Sequence, residues 1–137
     1  MKNYCLVLLL MLIAYTTKAQ TKPIKIVFDV TSSDVKVHQS TLRHVKLMSE
    51  NYPNSEFEVV MYGGALEMVL IDKSSVAAEI EKFATNDNVT FMICSMTLNR
   101  HNVKKEQLVV GVGSVPDGIL EIVEKQSEGW GYIKEAN

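Results

Sequence analysis

Apolar residues cluster along the chain in two alternating rhythms. Ile24 to Val30 (IKIVFDV) is a β-rich apolar run and predicts the first strand. Thr31-Ser32-Ser33-Asp34 then supplies turn and N-cap chemistry. From Val37 to Tyr52 the apolar positions Leu42, Val45, Met48 and Tyr52 form a helical stripe with charges between, which Pro53-Asn54-Ser55 ends. Phe57 to Tyr62 (FEVVMY) reads as a second strand closed by Gly63-Gly64, and Ala65 to Ile71 as a short helical piece.

Ser74 or Ser75 can cap a further helix whose apolar face is Val76, Ile80, Phe83 and Ala84. Asn86-Asp87-Asn88 breaks it. Val89 to Cys94 (VTFMIC) has almost no polar alternation, as expected of a strand covered on both faces. Ser95 to Glu106 reads as helical in part, and Leu108 to Val112 as a fourth strand ending in glycines. Pro116 opens a last helix through Glu128, with Ile119, Ile122, Val123 and Gln126 on one side, and 129–134 forms a short fifth strand. Strand and helix alternating at this spacing predict an α/β fold, a mostly parallel sheet of about five strands with helices on both faces. No linker, repeat or low-complexity stretch divides it.

The first residues change this picture. Lys2 precedes an apolar run from Cys5 to Ala14, and Thr17-Lys18-Ala19 places small residues at the -3 and -1 positions of a signal-peptidase site. The run falls short of the ~20 residues that span a bilayer. Residues 1–19 are therefore expected to be a signal peptide, leaving residues 20–137 as a single domain, exported to the periplasm or secreted, with no stable membrane anchor after cleavage. Loss of Lys2 and Lys18 leaves 12 basic against 16 acidic residues, a net charge of -4. A mildly acidic domain without a basic cluster argues against nucleic acid and anionic membrane as partners. Cleavage also removes Cys5, so Cys94 is the one cysteine left and has no internal disulfide partner.

In an open parallel sheet, ligands meet the protein at the carboxyl ends of the strands. Tyr62-Gly63-Gly64, Cys94-Ser95-Met96-Thr97 and Gly111-Val112-Gly113-Ser114 are expected there. A thiolate at Cys94 would face the positive end of the helix opening at Ser95 to Thr97, which lowers a thiol's pKa and raises its nucleophilic fraction. The plain alternative is that Cys94 is the last apolar residue of its strand, since free cysteines are among the most buried residues. Gly111-Val112-Gly113 lacks the third glycine and the first-strand position of a dinucleotide loop, so it reads as a tight turn and no cofactor is expected. His38 and His44, six apart, fall on different helix faces and form no metal pair; His101 reads as a solvated helix histidine, although it lies within one or two turns of Cys94. Glu67, Glu79, Glu81 and Glu121 read as solvent-facing helix residues. Trp130 and Tyr132 are either core caps or interface anchors.

These pieces together resemble the DsrE/DsrF-like family, which includes the TusD-type sulfur-relay subunits. The strongest likeness is Gly111-Val112-Gly113-Ser114-Val115-Pro116-Asp117-Gly118, then Glu121-Ile122-Val123, then Gln126-Ser127-Glu128-Gly129-Trp130-Gly131-Tyr132-Ile133-Lys134. Phe91-Met92-Ile93-Cys94-Ser95-Met96-Thr97-Leu98 is similar to the family's F-x-x-C-x-N-T pattern, except that Met96 stands where the asparagine would be. The resemblance implies a three-layer α/β/α sandwich and a homo-oligomer, a trimer or hexamer. It also implies a cysteine at position 94 that carries sulfur as a persulfide between a donor and an acceptor protein. Ser95, Met96, Thr97, Tyr62, Gly63 and Ser114 are the residues expected to support that thiolate or line a ligand cleft. The alternative is a non-catalytic oligomeric module that binds a small ligand or protein partner at the same edge.

Overall fold

The order of the strands decides which face each helix covers. The computed structural model describes residues 22–136; the expected signal peptide lies outside the described residues. Strands β1 (Lys25–Val30), β2 (Glu56–Met61), β3 (Val89–Cys94), β4 (Val112–Val115) and β5 (Gly131–Glu135) form one sheet in the order β4-β3-β2-β1-β5. Every pairing is parallel. The helices are α1 (Val35–Asn51), α2 (Ala77–Phe83), α3 (Ser95–Arg100) and α4 (Gly118–Ser127), with 3-10 segments at Gly63–Val69 and Lys105–Gln107.

From β1 to β4 the chain steps in one direction across the sheet. Right-handed crossovers then put every intervening helix on the same face. The last crossover runs back from one edge to the other, so α4 must lie on the opposite face. The packing follows this rule. Phe28, Phe57, Phe91 and Ile93 of the sheet pack with Val37 and Val45 of α1, Met68 of the 3-10 segment, Ile80 of α2 and Leu98 of α3. On the other face only Val27, Val60 and Ile122 are buried together, flanked by Tyr62 and Trp130. The result is an α/β/α sandwich with a thick apolar layer on one side and, among the described residues, a single helix on the other.

Two boundaries differ from the sequence expectation. The fourth strand is Val112–Val115, not Leu108–Val112. Leu108 instead makes an isolated antiparallel bridge to Leu70, and the Val109 N–H donates to the Val69 carbonyl at 2.9 Å, so these apolar residues close off the 3-10 segment. Gly111, at φ +92°, then turns the chain into β4. The last helix begins at Gly118 rather than Pro116, because Asp117 is the N-cap: its Oδ1 accepts the N–H groups of Ile119 and Leu120 at 2.9 and 3.2 Å. Asp34 caps α1 in the same way, accepting the Lys36 N–H at 2.8 Å.

Candidate functional site

Strand β3 feeds a helix on one face and β4 feeds a helix on the other, so the crossovers change face between their carboxyl ends. This is the switch point at which open α/β sheets place their ligands. Cys94 stands there. It is the last residue of β3, pairs with Val115 of β4, and is 5% exposed. Its backbone is extended, φ -66° and ψ 123°, as the N-cap of α3.

Gly118, the first residue of α4, covers Cys94. A Cβ at this glycine would lie 3.2 Å from the Cys94 Cβ, 3.3 Å from Cδ1 of Tyr62 and 3.4 Å from Cγ1 of Val60. The absent side chain lets the first turn of α4 close over the thiol and the Tyr62 ring together. Cys94 therefore lies against the start of α4 as well as at the start of α3.

Tyr62 connects this thiol to a charged cluster. Asp29 is buried in β1, and its two carboxylate oxygens accept the Tyr132 hydroxyl at 2.7 Å and the Lys134 ammonium at 3.0 Å. Lys134 Nζ also donates to Thr31 Oγ1 at 2.7 Å and lies 5.8 Å from the centre of the Tyr62 ring. The Asp29 bond pushes the Tyr132 hydroxyl up to about 12, so it stays protonated as a donor. Burial, then the Asp29 charge and hydrogen bonding, then Cys94, hold the Tyr62 hydroxyl above its ordinary value. The cluster is a Lys134–Asp29 ion pair with two neutral phenols, of which Tyr62 reaches the thiol.

The residues singled out in the sequence divide between two faces. Ser95 is half-buried, Met96 exposed and Thr97 buried. The Thr97 hydroxyl accepts the Gly63 N–H at 3.1 Å, so it fastens the loop after β2. Gly63 turns away from Tyr62, at φ +59°, and lines a cavity of about 330 Å³ with Ser33, Glu67, Lys73 and His101. Ser114 lies inside β4, opposite Ile93, and not in a loop after the strand. His101 is exposed beyond the C-terminal end of α3, whereas His38 is buried and donates from Nε2 to the Ser32 carbonyl at 2.7 Å. Asp29, Tyr132 and Lys134 were not among the expected site residues. Asp29 carried a signal, being an acid inside an otherwise apolar buried strand.

The model of the DsrE/DsrF-like family matches residues 25–134. The solved structure of a protein of unknown function, MTH1491 from Methanobacterium thermoautotrophicum, is 26% identical, with a TM-score of 0.75 over 81% of this chain and 98% of that one. BT1422 from Bacteroides thetaiotaomicron, also of unknown function, is 16% identical, with a TM-score of 0.64 over 80% of this chain and 93% of that one. The ychN protein from E. coli is 13% identical, with a TM-score of 0.63 over 83% of this chain and 99% of that one. At these last two identities the likeness is one of fold. No curated protein matches the chain.

Proposed function

The chain belongs to the DsrE/DsrF-like family, and we propose from that premise that it handles sulfane sulfur through Cys94. The observation that carries the reading is the place of Cys94 at the sheet's switch point, beneath the first turn of α4. The Cys94 thiolate attacks the outer sulfur of a persulfide donor, the donor's S–S bond breaks, and the donor leaves as a thiolate. An acceptor thiolate then takes the same sulfur and returns Cys94 to its thiolate, so no outside oxidant is needed. The starts of α3 and α4, both at Cys94, bring positive helix ends toward the anionic states. Because Cys94 is 5% exposed, transfer requires the Gly118 end of α4 to lift.

The test is incubation with a small-molecule persulfide followed by mass spectrometry. One added sulfur on Cys94, transferable to a second thiol and absent in Cys94→Ser, is the expected result. Iodoacetamide labelling of the native protein that is slow and flat between about pH 6 and 8 would overturn the reading.

The burial of Cys94 beside an exposed Met96 favours a second reading, a non-catalytic module that binds a ligand or partner at this edge. Under it, Cys94→Ser leaves native binding intact. Two further parts of the proposal concern the whole protein. Removal of residues 1–19 on export gives a mature chain starting at Gln20, which N-terminal sequencing of the exported protein checks. Ile119, Leu120 and Val123 form an exposed apolar patch on α4 and support a homo-oligomer, trimer or hexamer. Light scattering that gives a monomer at micromolar concentration removes that part.

A further inference from the structure

We propose that Glu58 and Glu121 share a single proton, and that this proton latches α4 against the sheet. Glu58 lies in the middle of β2 on the face covered only by α4, and is 4% exposed. Its Oε2 takes the Lys125 ammonium at 2.9 Å and the Thr90 hydroxyl at 3.4 Å. Its Oε1 is buried and has no hydrogen-bond partner among the described residues. The same Lys125 Nζ lies 3.5 Å from Oε1 of Glu121. One cation therefore serves two carboxylates, one of them out of water.

Among the described residues no second cation is paired with Glu58 or Glu121. From β1, Lys25 pairs with Glu56 at 2.9 Å and lies 5.4 Å from the centre of the Trp130 ring. From β3 only the Thr90 hydroxyl faces Glu58, and from the segment before β5 the Trp130 ring covers Lys125, its centre 4.5 Å from Nζ. Lys134, farther along the same face, is held by Asp29. Two full negative charges against Lys125 alone would leave a buried excess charge and an unsatisfied oxygen. A proton shared with Glu121 removes both.

Burial is the main cause that holds the Glu58 carboxyl above its ordinary 4.5; Lys125 opposes the shift and Glu121 adds to it. A raised carboxyl pKa means that the folded chain binds more protons than the unfolded one above pH 4.5. Stability from this group is therefore lost as pH rises from there through the folded midpoint. Glu121 and Lys125 sit about one and two helical turns beyond Gly118 on the same helix, so release of the latch bears on the cover over Cys94.

Carbon-13 NMR of the glutamate carboxyls across pH 3 to 9 tests the proposal. In the native protein Glu58 should titrate above 4.5, and in Glu121→Gln its midpoint should fall, because the amide donates to the carboxylate. A Glu58 midpoint at or below 4.5 overturns the proposal, and so does a midpoint that Glu121→Gln leaves unmoved. Should that variant not fold, urea unfolding of the native protein against Glu58→Gln decides. The native protein must lose stability relative to the variant as pH rises above 4.5, and a constant difference overturns the latch. Neither readout depends on Cys94 carrying sulfur.

Discussion

Tyr132→Phe removes one hydroxyl and nothing else, and the structure fixes what that hydroxyl does. It donates at 2.7 Å to Asp29, whose side chain is 6% exposed. Hydrogen bonds to charged groups contribute about 1.5–3 kcal/mol, and one left unmade at a buried acceptor costs a similar amount. Tyr132 itself is 43% exposed, so water reaches the vacated position in part and the lower end applies, about 1–2 kcal/mol. Urea unfolding followed by Trp130, the only tryptophan in the chain, reads the change as a lower midpoint at unchanged slope. In an Asp29→Asn background the loss should be roughly halved, because the bond is no longer charge-assisted. The pH dependence has a definite sign. Tyr132 is raised from 10.0 to about 12, so its contribution is whole below pH 10 and is lost as pH rises toward 12. Equal midpoints for Tyr132→Phe and the native protein at both pH 7 and pH 9 would refute the reasoning.

Three other substitutions probe different parts of the molecule. Phe91→Ala empties a fully buried position beside Phe83 and should cost about 3–5 kcal/mol by the same unfolding assay, with a result under 1 kcal/mol showing that the core collapses around it. Gly111→Ala places a Cβ 2.8 Å from that of Ala84 at φ +92°, and should cost about 1–3 kcal/mol; no loss would mean that the turn into β4 can rearrange. Gly118→Ala presses on Cys94, Tyr62 and Val60 at 3.2–3.4 Å, which should lift the start of α4 and speed iodoacetamide labelling of Cys94 several-fold over the native protein. An unchanged rate would show that α4 does not control access to the thiol.

The sheet was legible because its strands put apolar residues on both faces and read as near-continuous apolar runs. Val89 to Cys94 is the clearest case, and its end placed Cys94 correctly on the carboxyl edge. Leu108 to Val110 misled for a physical reason: the same apolar residues that would fill a strand instead close the 3-10 segment, and only Gly111 marks the change of direction. Glu121 misled too. Its helical spacing says solvent, but α4 is the lone helix on its face, and Glu121 turns inward toward Lys125. The part Gly118 plays as a cover could not be read, since it lies in contacts to Cys94 and Tyr62 that come from distant strands. Asp29 and Glu58 were visible as acids within apolar strands. What a sequence does not give is the partner of each, Lys134 at 105 residues' separation and Lys125 on the returning helix.

The asymmetry of the two faces explains why these acids are where they are. Three helices and a 3-10 segment fill one face, which leaves its interior apolar. A single crossover helix spans the other, so the sheet beneath it is covered along one line and partly open beside it. Asp29 of β1 and Glu58 of β2 lie on that face, each buried yet each near a lysine that reaches in from β5 or α4. Apolar residues there would leave an exposed greasy strip; ionised residues without partners would not stay folded. Lysines on the last helix and last strand satisfy both conditions, and Lys125 belongs to the helix whose first turn closes over Cys94. The chain's C-terminal third is thus at once the lid of the thiol and the source of the charges that hold the lid down. Truncation before β5 should therefore expose Cys94 and free Asp29 together, a joint loss that thiol labelling and unfolding can measure on one sample. Loss of stability with Cys94 still protected would separate the two roles and break this account.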